Sequence, residues 1–493
     1  MRVLIINPPA WNTVVEHPDE HGEEFLEADS FGEFPPLGAL YVLSHLDAHT
    51  EGHELFFKDC VAEGIRYDGL RAYFEEIRPD VVGVTSFTVS LVDVCMTAAL
   101  VKEVNPDAHV CLGGHHPIAY PNEATELPEF DSIVVGEGEE VFTELVNCLE
   151  CGEDFTHIKG VYTTDSIKPF AENPVRDKRF LARVSVPAAY VEDIDALPVV
   201  DRKWIRDYRY RNILGITNNL ATILSSRGCP YRCTFCDVPI KSYRERSAAL
   251  VVDEIEQCLE MGYTEFRFYD DLFNINERKV LDLTDELERR NLSITWDFRG
   301  RVNGVTYESL VRAKKTGLRM IAFGVETGSD AGLKHLRKGT NTAKIEQAFK
   351  WCRELGILTV ADYIIGQPFE KTKEDVRANI DFLMKLDPDY AQVSILTLYP
   401  NTEIYDQAVA QGIVEAGRWQ EFARRPVKNY VVDHWDEFLT LAELTELQKE
   451  AYHKFYFRFK YILRSVLKTR SIYEFVSKAS GALKLAKANK RAA

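Results

Sequence analysis

The sequence predicts an α/β protein made of two parallel β-sheets and a helical C-terminal region. Residues 1 to about 150 alternate short apolar runs with helix-like apolar spacing, and the alternation restarts near residue 221. Short buried strands that alternate with helices form parallel sheets. We therefore divide the 493 residues into a doubly wound, Rossmann-like domain (1–151), a linker (152–220), a partial barrel (221–400) and a helical C-terminal domain (401–493).

Binding chemistry in the first domain is expected at the carboxyl ends of its strands, where doubly wound sheets bind ligands. The five strands are predicted at Val3–Ile6, Glu54–Phe57, Val81–Thr85, His109–Leu112 and Ser132–Val135. Glycines at such ends let a large ligand approach the backbone. Each loop alone is compatible with a plain turn, but three on consecutive strands predict a binding site. Its candidate residues are Thr85 and Ser86, then Gly113, Gly114 and His116, then Gly136, Glu137 and Gly138.

The second alternation predicts six successive β/α units. Their strands are expected at Thr222–Ser226, Glu265–Tyr269, Thr295–Arg299, Met320–Val325, Leu358–Ile365 and Ala391–Leu396. With right-handed crossovers, six such units make three quarters of a (β/α)8 barrel, that is, a partial (β/α)6 barrel. As in the complete barrel, catalytic residues are expected at the carboxyl ends of the strands.

A cluster of three cysteines follows the first strand of this barrel. Cys229, Cys233 and Cys236 have the spacing C-x3-C-x2-C. Three thiolates can bind three irons of a [4Fe–4S] cluster, which normally takes four cysteines, so one iron is left for another ligand. A structural zinc site needs four closed ligands, and incidental thiols are rarely so close together. The other seven cysteines show no disulfide spacing, which favours a reducing cytoplasm.

Charge is unevenly distributed along the chain. The net charge of −18 argues against a nucleic-acid backbone as the main partner. Residues 451–493 carry eleven Lys and Arg but one acid, Glu474. This basic end is compatible with a peripheral contact to an anionic membrane or a protein, and equally with a solvated helical face. The sequence shows no signal peptide and no membrane-spanning run. The long first loop, residues 18–36, is acidic and is expected to fold over a ligand or substrate.

The cysteine spacing, the partial barrel and the preceding α/β domain together resemble the cobalamin-dependent radical S-adenosylmethionine (SAM) enzymes. The resemblance covers roughly residues 1–400, and its most specific part is Arg227–Cys236. It implies that the open iron chelates SAM, which is cleaved to a 5′-deoxyadenosyl radical. It also implies that the aromatic Phe235 packs near the adenine.

The same resemblance assigns further residues to SAM. Asp270 and Asp271 match the segment that contacts the SAM amino group, although one of the two could be only a helix N-cap. Glu326 matches the residue that bonds the ribose or amino group, and Gly366 lies in the turn beside the adenine. Arg299 and Arg301 are expected to reach the SAM carboxylate or the substrate, with a surface ion pair as the alternative.

The loops of the first domain resemble those that bind cobalamin in this family. The motif D-x-H-x-x-G is absent, so no histidine is marked as the lower cobalt ligand. The resemblance implies cobalamin in its base-off form, with Thr85–Ser90 packed under the corrin. His116 is then expected to contact the corrin or its tail rather than cobalt.

The resemblance implies a radical SAM C-methyltransferase that uses methylcobalamin and an external one-electron reductant. It would methylate an sp3 carbon of a protein side chain or a small natural product. The alternative with the same cofactors is an oxidative cyclase acting on a tetrapyrrole or lipid. A cobalamin-binding sensor would have no use for an open iron. A methylthiotransferase would need three further cysteines with their own spacing, which Cys60, Cys95 and Cys111 do not show.

Overall fold

The computed structural model describes residues 1–16, 32–174, 183–210, 214–469, 471–476 and 478. Most of the acidic first loop, residues 17–31, lies outside these ranges, and so does the end of the basic C-terminal segment, residues 479–493. No helix among the described residues is both long enough and apolar enough to cross a bilayer.

The described residues form fourteen strands. They are β1 Arg2–Asn7, β2 Glu54–Asp59, β3 Val81–Ser86, β4 His109–Gly114, β5 Ser132–Val134, β6 Val161–Tyr162, β7 Leu220–Ile223, β8 Ser226–Arg227, β9 Arg244–Glu245, β10 Glu265–Phe268, β11 Thr295–Gly300, β12 Leu318–Glu326, β13 Leu358–Ile365 and β14 Tyr390–Ile395.

Eighteen α-helices have both ends in these ranges, and a further helical segment includes residues 472–476. They are α1 Leu37–His49, α2 Cys60–Glu63, α3 Tyr67–Ile77, α4 Leu91–Val104, α5 His115–Ala119, α6 Pro121–Thr125, α7 Glu139–Cys151, α8 Lys168–Ala171, α9 Ala248–Glu260, α10 Glu277–Arg289, α11 Tyr307–Lys315, α12 Asp330–His335, α13 Thr342–Glu354, α14 Lys373–Leu386, α15 Glu403–Ala410, α16 Arg418–Arg424, α17 Leu441–Tyr456 and α18 Phe459–Lys468.

The first sheet has the strand order β2-β1-β3-β4-β5-β6. All of its pairs are parallel except β5 with β6, which are antiparallel. The chain order reverses between β1 and β3, which is where ligands bind in doubly wound sheets. The predicted Rossmann-like class is confirmed, and the antiparallel edge strand β6 is an addition that the sequence pattern did not indicate.

The second sheet has the order β14-β13-β12-β11-β10-β7, and every pair in it is parallel. One face of these strands, with Phe298 and Phe323 among its largest side chains, packs into a continuous apolar core. The opposite face carries a smaller apolar cluster of Met320, Ala322 and Val360 near the strands' amino ends. The six predicted strands are all present, so the partial barrel is confirmed.

The chain groups into two compact units whose boundaries differ from those drawn on the sequence. Unit 1 contains residues 1–15, 34–210 and 414–432, and unit 2 contains 16–33, 211–413 and 433–493. Most of the expected linker therefore belongs to unit 1, because Ala189 pairs with Gly136 beside the first sheet. Within unit 1, Arg424 of α16 forms ion pairs with Glu123 and Glu126. The expected C-terminal domain is thus divided between the two units.

A buried hydrogen-bond network fixes the ends of β12 and β13 in unit 2. The Gln367 backbone amide donates to one carboxylate oxygen of Glu370 at 2.9 Å, and the Asn379 side-chain amide donates to the other at 2.9 Å. The Asn379 carbonyl oxygen in turn accepts from the Gly328 amide at 2.6 Å. Burial raises the pKa of Glu370 from 4.5 to about 7. This carboxylate therefore connects the two loops that leave neighbouring strands.

We expect Glu370 to make stability depend on pH. Its folded pKa lies above its unfolded value, so between pH 4.5 and about 7 the native state holds a proton that the unfolded state has lost. The free energy of unfolding should therefore fall as pH rises through this window, by up to about 1.4 kcal/mol per pH unit. Glu370→Gln, which stays neutral, should flatten this slope in urea unfolding measured at several pH values.

The matched control is Glu374→Gln, which removes an exposed carboxylate from the first turn of α14. It should retain the wild-type slope. Equal slopes for wild type and Glu370→Gln would contradict the raised pKa.

Candidate active site

The cysteine loop, residues 228–240, leaves the carboxyl end of the second sheet after β7. Gly228 has φ +80°, and a Cβ there would come within 2.3 Å of the Ser242 carbonyl oxygen, so only glycine fits. The Cys229 amide donates to the Ile240 carbonyl at 2.9 Å. The two-residue strands β8 and β9 pair across the base of the loop. These contacts fold the loop back on itself without help from any cysteine side chain.

The thiols of Cys229, Cys233 and Cys236 are free of disulfides and partly exposed. Burial raises the pKa of Cys236 to about 11 and moves the pKa of Cys229 in the same direction. Both side chains are therefore protonated thiols at neutral pH when no iron is bound. Because iron binds the thiolate, cluster assembly on this loop must release protons.

Asp270, which the sequence grouped with the SAM contacts, supports the loop backbone instead. Its buried carboxylate accepts hydrogen bonds from the Ser225 amide and hydroxyl, both at 2.6 Å, and from the Ser226 amide at 3.0 Å. The exposed Asp271 accepts from the Gly228 amide at 3.0 Å. Of these two acids, Asp271 is therefore the one that lies at the surface beside the cysteine loop.

Arg301 lies directly beside the cysteines. Its backbone is held on both sides by the Asn274 side chain, at 2.9 and 2.8 Å. Its guanidinium lies 3.8 Å from the Tyr231 ring centre, and Nη1 is 3.6 Å from Cys233 Sγ. The Nε and Nη2 atoms are buried without a hydrogen-bond partner. Two unpaired donors of a guanidinium are the arrangement that a carboxylate binds in a bidentate manner.

Glu326 occupies a strained position at the end of β12. Its φ is +64°, which is uncommon for a residue other than glycine. Its carboxylate forms a buried ion pair of 2.9 Å with Lys338, whose Nζ lies 5.9 Å from the Phe235 ring centre. A Cβ at Gly324 would come within 2.4 Å of Glu326 Oε1 and 2.9 Å of Lys338 Nζ, so a larger residue there would displace the ion pair. The structure thus brings Glu326 and Phe235 to one place, with Lys338 as a member that the sequence did not single out.

The turn after β13 contains a buried side-chain amide, that of Gln367, which has no hydrogen-bond partner. Gly366 has φ +76°, and a side chain there would meet Leu444 at 2.7 Å. The next residue, Gln367, is 1% exposed, and neither atom of its side-chain amide has a hydrogen-bond partner. A buried amide that offers both a donor and an acceptor matches the edge of an adenine base. The sequence marked Gly366, but only the structure shows that Gln367 carries the free polar atoms.

Arg299 points to a different set of partners from Arg301. Its guanidinium lies 3.5 Å from Asp362 Oδ2 on β13 and 3.4 Å from Gln392 Oε1 on β14. Asp362 Oδ1 is buried without a partner, and burial raises the pKa of this carboxyl. Strands β11, β13 and β14 therefore each contribute a polar group to one face of the sheet, across the intervening strand β12. The sequence could not separate the two arginines, since they are two residues apart at the end of β11.

In unit 1, the ends of β3 and β4 lie close together. The Ser86 hydroxyl donates to the Gly113 carbonyl at 2.7 Å. Gly114 has φ +91°, and a Cβ there would lie 2.6 Å from Ser86 backbone atoms and 3.1 Å from Thr85 Oγ1. A Cβ at Gly113 would meet no atom closer than 4.0 Å. Gly113 is therefore the glycine of this pair whose backbone is open to a ligand.

An aromatic surface is exposed at these strand ends, in the Thr85–Ser90 loop that was expected to pack under the corrin, although Phe87 itself was not named from the sequence. Phe87 is 59% exposed, and its ring stacks on His115 with 5.9 Å between centres. His116 is fully buried, and its Nδ1 lies 3.0 Å from Thr88 Oγ1. Burial lowers the pKa of His116 to about 3, so the ring is neutral. His116 therefore lies beneath the loop, and the flat surface above it belongs to Phe87 and His115.

The loop after β5 has a structural role that its glycines did not indicate. A Cβ at Gly136 would lie 2.0 Å from the Ala189 carbonyl oxygen, so the close approach is made by the chain itself. The Glu137 carboxylate accepts from the Val191 amide at 2.7 Å. Gly138 immediately precedes α7 and has ordinary negative φ. Gly136 and Glu137 thus make contacts to residues 189–191, and ligand binding by these three residues stays a prediction.

The donor sets fit the cofactors that the sequence resemblance implies. Three free cysteines beside the unpaired donors of Arg301 suit an iron–sulfur cluster with one iron open to a carboxylate. Glu326 and the unpaired amide of Gln367 suit a nucleoside. The exposed Phe87 and the open backbone at Gly113 suit a flat macrocycle.

Comparison with known families identifies both halves of the chain. Residues 223–383 match the model of the radical SAM superfamily. Residues 25–146 match the model of the B12 binding domain. The first match contains the cysteine loop, Glu326 and Gly366, and the second contains the ends of β3, β4 and β5.

Individual relatives extend over most of the sequence. An uncharacterized methyltransferase of Pyrococcus horikoshii is 28% identical over 94% of this chain and 95% of its own. An anaerobic magnesium-protoporphyrin IX monomethyl ester cyclase of Rubrivivax gelatinosus is also 28% identical, over 83% of this chain and 70% of the cyclase. The solved structure of the radical SAM methyltransferase TsrM from Kitasatospora setae, with cobalamin and a [4Fe–4S] cluster bound, has a TM-score of 0.61 at 23% identity, covering 83% and 75%.

The two family matches occur in the order expected from the fold, and the geometry of each sheet fits the group that its family binds. The cofactors are accordingly a [4Fe–4S] cluster and SAM for unit 2 and cobalamin for unit 1. The chain thus combines a radical SAM domain with a B12 binding domain, as the cobalamin-dependent radical SAM enzymes do.

Proposed function

We propose that this protein is a radical SAM C-methyltransferase that methylates an sp3 carbon. The observation that carries the proposal is the presence in one chain of a three-cysteine loop with an unpaired arginine beside it and of a B12 binding domain. The similarity to a methyltransferase of Pyrococcus horikoshii along almost the whole length of both chains supports it. The substrate we propose is a protein side chain or a small natural product.

The residues of this chain have separable tasks in such a reaction. When bound, the cluster and SAM supply a 5′-deoxyadenosyl radical, and cobalamin supplies a methyl carrier. Arg301 holds the SAM carboxylate, Glu326 the ribose or amino group, and Gln367 the adenine edge. Arg299 is held by Asp362 and Gln392 and does not lie beside the cysteines, so its role is to orient the substrate. Phe87 supports the corrin plane.

An oxidative cyclase is the second candidate, because the cyclase of Rubrivivax gelatinosus is as similar in identity as the methyltransferase. Both functions use the same cofactors, and both need an external one-electron reductant. We also propose a cytoplasmic location, since the ten cysteines are free thiols and a cluster with an open iron requires reducing surroundings.

The products formed from SAM distinguish the two functions. The protein is reconstituted anaerobically with iron, sulfide and cobalamin, and is then given SAM and a chemical reductant. A methyltransferase should form S-adenosylhomocysteine in a cobalamin-dependent manner, together with 5′-deoxyadenosine. Mass analysis that finds 5′-deoxyadenosine alone, with S-adenosylhomocysteine no higher than in a protein-free control, would favour the cyclase.

Replacing Cys229, Cys233 and Cys236 together by Ala should abolish the iron–sulfur absorbance and the cleavage of SAM, because no ligand for iron remains on the loop. The matched control is Cys151→Ala, which removes an exposed thiol at the end of α7. The control should keep both properties. Retained SAM cleavage in the triple variant would refute the assignment of the loop.

The two arginines should differ in their effect on SAM binding. Arg301→Met keeps much of the side-chain volume but removes the donors beside Cys233, so SAM affinity should fall roughly 10- to 100-fold, as expected for a lost hydrogen bond to a charged group. Arg299→Met should leave SAM affinity within about twofold, since its partners are Asp362 and Gln392. Equilibrium dialysis with labelled SAM measures both, and equal losses in the two variants would contradict the separation.

A further inference from the structure

Helix α18 is attached to unit 2 by its polar side. Arg464 forms an ion pair of 2.9 Å with Asp387 and donates to the Pro388 carbonyl at 2.7 Å. One turn later, Lys468 forms an ion pair of 2.7 Å with Asp389. The opposite side of the helix is apolar and faces solvent. A helix on the surface of a globular protein normally has the reverse orientation.

The exposed apolar side chains of α18 and of residues 472–476 are together named the C-terminal apolar face. On α18, the exposed fractions are 81% for Phe459, 47% for Ile462, 50% for Leu463, 56% for Val466 and 75% for Leu467. Their spacing of three and four residues places them on one stripe. The face continues after α18 with Ile472, Phe475 and Val476, at 85%, 56% and 58%. Isolated exposed apolar residues need no explanation, but contiguous patches mark interaction sites.

This segment holds half of the large apolar side chains that are exposed in the described residues. Of eighteen such side chains, nine lie between Phe457 and Val476. The backbone that carries them is fixed, because Tyr473 donates to Asn218 at 3.0 Å and the buried Glu474 lies 3.5 Å from Arg319. These apolar side chains are therefore exposed on a segment that is attached to unit 2, not on a detached chain end.

The charge of the segment indicates what covers the face. Residues 451–493 carry eleven basic side chains and one acid, whereas the whole chain has a net charge of −18. Two copies joined through this face would bring two basic segments together. An anionic lipid surface instead attracts Lys and Arg while apolar side chains enter the boundary of the acyl chains. Lys460, at the edge of the stripe and 79% exposed, shares the carboxylate of Asp387 with Arg458 and Arg464. One carboxylate among three cations leaves net positive charge beside the stripe, and the long Lys460 side chain can extend it toward the headgroups.

We propose that the C-terminal apolar face is a peripheral docking site for an anionic bilayer. The contacts of α18 to Asp387 and Asp389 lie just before β14, and the contact of Tyr473 lies just before β7. The face is therefore at the amino-terminal end of the second sheet, and the cysteine loop is at the carboxyl end. Docking in this way attaches the enzyme to a membrane while the SAM site remains at the opposite end of the same unit.

Vesicle flotation of the full-length protein tests the proposal. The vesicles contain either phosphatidylcholine alone or a mixture with phosphatidylglycerol. The wild-type protein should float with the anionic vesicles at least about tenfold more than with the neutral ones, and the difference should shrink at high salt. The double variant Leu463→Glu/Leu467→Glu should lose at least about tenfold of this binding, because it places two charges in the stripe.

The matched control is Met261→Glu/Val427→Glu, which adds two charges at exposed apolar positions elsewhere and should float as the wild type does. SAM cleavage should be the same in all three proteins. Failure of the wild type to float, or equal flotation of wild type and the Leu463→Glu/Leu467→Glu variant, would overturn the proposal. The wild type could instead form a dimer in light scattering and bind no vesicles, with the dimer lost in the Leu463→Glu/Leu467→Glu variant. That result would overturn membrane docking and identify a second copy of the chain as the partner of this face.

Discussion

The carboxyl end of the second sheet depends on one buried carboxylate, that of Asp270. It accepts three hydrogen bonds from Ser225 and Ser226, the residues through which the chain leaves β7 and enters the cysteine loop. The neighbouring Asp271 holds the Gly228 amide, where the backbone turns. Because buried amides without partners cost free energy, these two acids fix the start of the loop before any iron binds. The three cysteines are then needed only as ligands.

The same end of the sheet collects the polar atoms that the protein itself does not satisfy. Arg301 Nε and Nη2 and the Gln367 side-chain amide are buried without partners, and Glu326 is held in a strained backbone conformation. Buried polar groups in native proteins are usually paired, so a concentration of exceptions marks where a ligand completes the structure. The sheet of unit 1 offers instead an exposed aromatic ring and an open glycine backbone, which suit a large flat ligand. Each sheet thus carries the surface that its own cofactor requires.

Sequence patterns were sufficient for the five parallel strands of the first sheet and the six of the second, because these depend on local spacing, but not for β6, β8 or β9. The strand Leu358–Ile365 was predicted with its observed bounds, since a buried apolar run between helices has few alternatives. The roles of Asp270 and Glu137 could not be predicted, because their partners lie 45 and 54 residues away in the chain. For the same reason residues 152–220 were interpreted as a linker, although Ala189 fits against Gly136. The orientation of α18 also required the structure, since its pattern alone indicates an ordinary amphipathic helix.

An iron left open by the cysteine loop should bind the amino and carboxylate groups of SAM. Pulsed electron paramagnetic resonance of the reduced cluster, with SAM labelled isotopically in these two groups, tests this binding. We expect hyperfine coupling between the cluster and both labelled groups, with the carboxylate signal altered in Arg301→Met and unaltered in Arg299→Met. A fully assembled cluster that shows no coupling to either group would contradict this expectation.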